Sequence, residues 1–236
     1  MARVTLFAGH YGSGKTNIAL NYARALSRSG KPVAIADLDI VNPYFRTKDS
    51  KAQLEREGIE LIVSDFANSN VDFPALPKEA YSLFSPSTID QSVNRLIGQS
   101  VPSPSVIVDV GGDDRGALAL GRYVDDIKAE NDYEMLGVIN ASRPLTQTPE
   151  ATVEVLREIE AASRLPFTGL VNNTNLGLET TAETVLNSLD YANKVAEIMQ
   201  IPVKMTTVAQ NLMSALEGKV PALFAIDLQK LYYFMV

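Results

Sequence analysis

Eight residues near the start of the chain have the types and spacing of a loop that holds phosphate. Gly9-His10-Tyr11-Gly12-Ser13-Gly14-Lys15-Thr16 fits the pattern G-x-x-x-x-G-K-[ST]. Glycines in such a loop let backbone N–H groups converge on phosphate oxygens, and a helix opening at the lysine adds the positive end of its dipole. Gly9, Tyr11, Gly12, Ser13, Gly14, Lys15, Thr16 and Asn17 are therefore the expected nucleotide contacts. Lys15 is placed to reach the β- and γ-phosphates and to serve the reaction there. The Thr16 hydroxyl is placed to bind Mg²⁺.

Carboxylates further along supply the rest of that chemistry. Asp37-Leu38-Asp39 follows a short apolar run, and alternation along a strand puts Asp37 and Asp39 on one side. Two carboxylates this close repel unless a cation separates them, and a Mg²⁺-bound triphosphate brings one. Asp39 is the candidate for orienting the attacking water and for holding the metal, because phosphoryl transfer rests on positioning and charge stabilisation. Asp109 ends a second apolar run, SVIVD, and fits a carboxylate that holds Mg²⁺ directly or through water. Three residues on, Gly112 offers a backbone N–H to the γ-phosphate. Arg143 at the end of another run either faces an anion or ties down a loop. Guanine-specific proteins use N-K-x-D; Asn172-Asn173-Thr174-Asn175 lacks its lysine and aspartate, which favours ATP.

The elements that must position these residues alternate between strand and helix patterns. Strands are expected at residues 3–8, 33–36, 60–63, 105–109, 133–140, 167–172 and 202–206. Residues 15–27 carry apolar positions Ile18, Tyr22, Ala25 and Leu26 at helical spacing. Further helices are expected at 116–130 and from Thr148-Pro149-Glu150 to about Ser163. The latter opens on an N-cap, a proline at N1 and an acidic first turn. Thr180 and Glu183 read as a capping box for one helix with the stripe Val185, Leu189, Ala192 and Met199. Residues 64–104 hold five prolines and form an irregular insertion with short helices near 78–84 and 88–98. Residues 207–236 are expected to be helical. The pattern predicts a three-layer α/β fold: a doubly wound, mostly parallel sheet covered on both faces, in a single domain spanning 1–236.

Composition narrows the function. At 236 residues with a net charge of −7, the chain lacks the basic excess of an extended nucleic-acid face, so no nucleic-acid partner is expected. Zero cysteines and one histidine exclude disulfides, iron–sulfur ligation and thiolate or multi-histidine zinc sites within one chain. No apolar run approaches the roughly 20 residues of a membrane span, and no signal-peptide pattern opens the chain. The expected location is the cytoplasm. The apolar segment 226–236 has Lys230 as its one cation, so docking on the domain or on a dimer partner is expected over membrane binding.

Together the phosphate loop, the D-x-D at 37–39, Asp109 ending a central strand and Asn172 ending a later one resemble the MinD/ParA/ArsA-type P-loop ATPases. That superfamily includes the CobQ/CobB and CooC-like proteins, and the strings DLDIVNPYFR and DVGGDDRGALALGRY resemble a subfamily described only as ATP-binding. The resemblance runs from Arg3 to roughly Val208. It implies a P-loop NTPase fold and ATP with Mg²⁺ as cofactors. It also implies that Asp39 activates water, that Asp109 supports the metal, that Asn172 contacts adenine, and that a loop near Thr206 and Thr207 lines the base. The superfamily's signature lysine after the first glycine reaches a partner subunit's nucleotide. Here His10 stands in that position, so a nucleotide-bridged homodimer would draw its cation from Arg46 or Arg115.

The leading expectation is a Mg²⁺-dependent ATPase whose nucleotide state controls a protein partner, with switch segments at 39–48 and 111–116. One alternative is a small-molecule kinase or ATP-dependent ligase of the dethiobiotin synthetase or cobyrinate amidation type, its substrate pocket built from Arg46, Arg143 and the 64–104 insertion. Another is a nucleotide-sensing interaction module without significant hydrolysis.

Overall fold

Every residue of Val4–Ala8 (β1) is buried, as in a strand covered on both faces. The structure is a computed structural model and describes residues 2–38, 48–63, 84, 103–112 and 114–228. Seven further strands join β1: Val33–Leu38 (β2), Ile59–Val63 (β3), Ser105–Val110 (β4), Tyr133–Ile139 (β5), Gly169–Asn172 (β6), Val203–Ala209 (β7) and Leu223–Ile226 (β8). They form one eight-stranded sheet in the order β3-β2-β4-β1-β5-β6-β7-β8. Every neighbouring pair is parallel. The chain leaves β1 toward β2 and β3, returns through β4, and continues on the other side of β1 to β8. The order reverses at β1, so the loop after β1 opens at the crevice where such sheets hold their ligands.

Helices cover both faces: Lys15–Arg28 (α1), Lys48–Arg56 (α2), Asp114–Leu120 (α3), Val124–Glu130 (α4), Pro149–Ser163 (α5), Ala182–Asn187 (α6), Leu189–Met199 (α7) and Met213–Leu216 (α8). Alternation along the strands sorts their side chains cleanly. Phe7, Val33, Ile35 and Ile107 pack with Ile18, Tyr22 and Leu26 of α1. Leu6, Ala34, Val108 and Ile139 pack on the opposite face with Leu120, Ile127, Leu156 and Val195 from α3, α4, α5 and α7. A third cluster joins Val208 of β7 to Val185, Leu216 and Val220.

Four of the expected elements differ, and α2 was not expected at all. The helix expected at 116–130 is two helices, α3 and α4, divided by a turn in which Tyr123 N–H bonds Leu120 O at 2.9 Å. The turn sends the Tyr123 ring inward against Phe84, with ring centroids 5.1 Å apart. The capping box begins at Thr181 and closes on Thr184, one residue beyond the expected pair. Thr180 instead closes the preceding turn, its Oγ1 donating to Gly177 O at 2.7 Å. The single helix expected after it breaks at Ser188, whose hydroxyl faces the sheet. Finally, residues beyond 207 are not a helical tail. β7 runs on to Ala209, and after the short α8 the chain adds β8 at the sheet edge. A short apolar run such as Leu223-Phe224-Ala225-Ile226 carries no period that separates strand from helix. The helices expected near 78–84 (apart from helical Phe84) and 88–98, and the segment 229–236, lie outside the described residues.

Candidate nucleotide site

The loop after β1 is shaped by glycines, two of which leave no room for a Cβ. A Cβ on Gly9 would run into Val138 O, and one on Gly14 into Asn173 Nδ2. Gly12 and Gly14 adopt φ of +74° and +94°, the left-handed region. The turn is closed by Ser13 N–H to His10 O at 3.1 Å, and Lys15 Nζ donates to the same carbonyl at 3.2 Å. His10 Nδ1–H donates to Tyr11 O at 2.8 Å, so the ring that replaces the expected signature lysine is tied to the loop itself. α1 opens at Gly14 with no side-chain cap and no acidic residue in its first turn. A helix start of this kind, with the positive end of its dipole, suits an anion.

The metal-side residues meet on the face that α1 covers. Asp37 and Asp109 are register partners on β2 and β4. They continue the rows of Val33 and Ile35 and of Ile107, all packed toward α1. Adjacent strands are about 4.8 Å apart, so two buried carboxylates stand side by side below the end of α1. Lys15, buried as well, brings a positive charge into the same layer. Gly112 completes the approach. A Cβ there would lie 2.8 Å from Lys15 Nζ and 2.8 Å from Tyr11 N, so the turn after β4 touches the phosphate loop only because it is glycine. The expected pairing of Asp37 with Asp39 lies outside the described residues, while the sheet register sets Asp37 beside Asp109, a pairing the sequence did not suggest. Asp39, Arg46 and Asp113 lie outside the described residues, and Arg115 sits in the first turn of α3.

Mg²⁺ fits this donor set. It prefers hard oxygen ligands and is held by one or two carboxylates together with substrate phosphates and water. Asp109 and Asp37 offer carboxylate oxygens and Thr16 a hydroxyl, while among the described residues no cluster of three or more acidic, histidine or cysteine side chains forms a cage for a metal alone. The buried Ser13 Oγ, inside the loop, has no hydrogen-bond partner among the described residues. A bound polar group would satisfy it.

The other side of β1 differs from the expectation. Asn172 is 1% exposed and lies on the face away from α1. Its Nδ2 donates to Ser188 Oγ at 2.8 Å, and its Oδ1 accepts from Thr174 N–H at 3.2 Å and Thr174 Oγ1 at 2.9 Å. These bonds turn its amide into the interior, where it offers no surface to a base. Thr206 is buried within β7, not in a loop after the last strand. The residues that do reach the phosphate loop are their neighbours. Asn173 Nδ2 donates to Ser13 O at 2.6 Å, and Thr207 Oγ1 donates to Asn173 Oδ1. Alternation explains the exchange: residue 172 faces one layer and residue 173 the other. Arg143 resolves to the tying role, its Nε donating to Gly12 O at 2.8 Å. Asn140, also at this edge, accepts from Ser142 N–H at 2.9 Å.

A parallel sheet, a glycine loop closing on a buried lysine, and a carboxylate pair under the helix it opens define a P-loop nucleoside-triphosphate-binding protein. Residues 4–186 match the family model described as the CobQ/CobB/MinD/ParA nucleotide binding domain, and the chain belongs to that family. No curated protein matches it. Among solved structures it is similar to cell division protein FtsY from Thermotoga maritima, at 19% identity and a TM-score of 0.53 over 88% of this chain and 62% of that one. FtsY from Elizabethkingia anophelis, in complex with GDP, gives 19% and 0.51 over 89% and 58%. Signal recognition particle 54 kDa protein from Aeropyrum pernix K1, also with GDP, gives 16% and 0.50 over 86% and 40%. The chain spans about three fifths of the length of the FtsY structures. At such identities these likenesses bear on the fold alone. No described helix is long and apolar enough to cross a membrane.

Proposed function

We infer that this chain binds ATP with Mg²⁺ in the loop after β1 and hydrolyses it, and that the bound nucleotide governs docking of a protein partner in the cytoplasm. One observation carries the reading. Gly112, three residues after Asp109, packs onto Tyr11 and Lys15 Nζ, so a carboxylate, a cation and a backbone N–H converge where terminal phosphates would lie. When bound, Mg²⁺ would supply charge neutralisation between phosphate oxygens. Asp109 and Thr16 would hold it, directly or through water, with Asp39 added from the segment after β2. Lys15 would stabilise charge on the terminal phosphate. Asp39 would orient the attacking water, and Gly112 N–H would donate to the γ-phosphate.

Adenine is favoured because 172–175 reads Asn-Asn-Thr-Asn, with neither the lysine nor the aspartate of the guanine pattern. GTP is the outcome to test against it. A protein partner is supported by the exposed apolar side chains at this edge: Tyr11, Leu145, Leu176 and Leu178, on the loops that follow β1, β5 and β6.

The experiment is ATP and GTP binding and turnover, with and without Mg²⁺, for the wild type, Lys15→Ala and Asp39→Ala. The reading expects ATP to be bound more tightly than GTP, binding to be lost in Lys15→Ala, and Asp39→Ala to bind ATP without turning it over. Unchanged turnover in Asp39→Ala removes that residue from the mechanism, and full binding in Lys15→Ala removes the loop.

A further inference from the structure

Two consecutive carbonyls of the phosphate loop are held from outside by side chains of the β5 and β6 ends. Arg143 Nε holds Gly12 O, and Asn173 Nδ2 holds Ser13 O. The second grip is the more confined. Asn173 is 3% exposed, and its amide lies so close to Gly14 that a Cβ there would collide with Nδ2. Its other end is fixed too, because Oδ1 accepts from Thr207 Oγ1, and the Asn173 backbone N–H donates to Ile139 O at 2.8 Å. A trans peptide sends its carbonyl and the next N–H in opposite directions. Fixing Ser13 O against Asn173 therefore turns the Gly14 N–H the other way, into the concavity of the loop.

We propose that Asn173 is a positioning residue for phosphate: gripping Ser13 O, and itself held by Thr207, it presets the Ser13–Gly14 peptide so that the Gly14 N–H meets a phosphate oxygen. This rests on the loop after β1 being the phosphate site. It assigns Asn173 no contact with the base. Preorganised donors bind an anion without first losing conformational freedom, so removing the grip weakens every ligand that uses the phosphate cup.

The test compares ATP with inorganic tripolyphosphate, which has no base or ribose, by displacement of a fluorescent nucleotide from the wild type, Asn173→Ala and Thr207→Val. Both variants are neutral, so no charge is added near the phosphates. Thr207→Val nearly preserves volume and covers the case in which Asn173→Ala does not fold. The expected result is a loss of about tenfold for both ligands in Asn173→Ala, about 1.4 kcal/mol, and a smaller loss for both in Thr207→Val. Amide hydrogen exchange at Gly14 should quicken in the free variants. If ATP weakens while tripolyphosphate does not, Asn173 contacts the base and the proposal is overturned. It is equally overturned if melting temperature falls while both affinities and the Gly14 exchange stay unchanged. A wild type that binds neither ligand would instead remove the phosphate-site reading, and Gly14 exchange would still decide whether Asn173 sets the peptide.

Discussion

The two sides of β1 end in different chemistries. Toward β4 and β2 the strand ends carry Asp109 and Asp37, with Lys15 beside them, all buried. Toward β5, β6 and β7 they carry Asn140, Asn172, Asn173, Thr174 and Thr207, equally buried and all uncharged. Charge on the first side demands counter-charge, because buried carboxylates in pairs are costly without a cation. The second side meets most of its own polar groups, amide to hydroxyl and amide to carbonyl, with Asn140 Nδ2 left without a partner among the described residues. The first side thus combines charges of both signs, whereas the second holds its shape through neutral contacts. The phosphate loop spans both, with Lys15 and Gly112 on one flank and Arg143 and Asn173 on the other.

The largest effect that would sharpen this contrast is on the charged side. Lys15→Ala should lower ATP affinity by about a hundredfold or more, since it removes charge-assisted bonds to phosphate. Titration calorimetry reads this directly, and an affinity within about threefold of wild type would break the assignment. Asp109→Asn should cost about tenfold in Mg²⁺-dependent affinity, a typical result of disturbing a metal's surroundings. On the neutral side, Asn172→Ala should destabilise the fold by about 1–3 kcal/mol by removing the acceptor of Thr174 N–H and Oγ1 and the donor to Ser188, with the preference between ATP and GTP unchanged. Urea unfolding measures the first part, and a changed base preference would return Asn172 to the binding surface.

The smallest effect concerns pH. Burial pushes the Tyr191 hydroxyl up to about 12, partly offset by its bond to Thr152. A raised value favours the neutral form in the folded state. The resulting stability is complete below about pH 10, the unfolded value, and is lost as pH rises toward 12. Tyr191→Phe should be less stable than wild type by about 1 kcal/mol at neutral pH, and that gap should close between pH 10 and 12. A constant gap across that range would contradict the burial account.

What the sequence made legible was local chemistry with a fixed spacing. The phosphate loop, the helix it opens, Thr148 with Pro149 at the start of α5, and Asp109 at the end of β4 all lie within short windows whose residues interact with one another. Features set by distant partners were not legible. No periodicity tells that Asp37 stands beside Asp109, because register belongs to the sheet. Asn172 and Asn173 are adjacent and chemically identical, and only the face each occupies separates a core residue from one that grips the loop. Ser188, where the helix breaks, is the residue that accepts from Asn172. α2 went unread because Lys48–Arg56 is nearly all polar, with Leu54 its one large apolar residue and no stripe to find.

The most direct test of the two-sided account is ATP affinity with Mg²⁺ and again with a chelator, in wild type, Asp109→Asn and Asn173→Ala. The account predicts that the Asp109→Asn deficit appears with Mg²⁺ and vanishes with chelator, while the Asn173→Ala deficit is the same in both. Deficits that respond alike to Mg²⁺ would contradict the division of labour across β1.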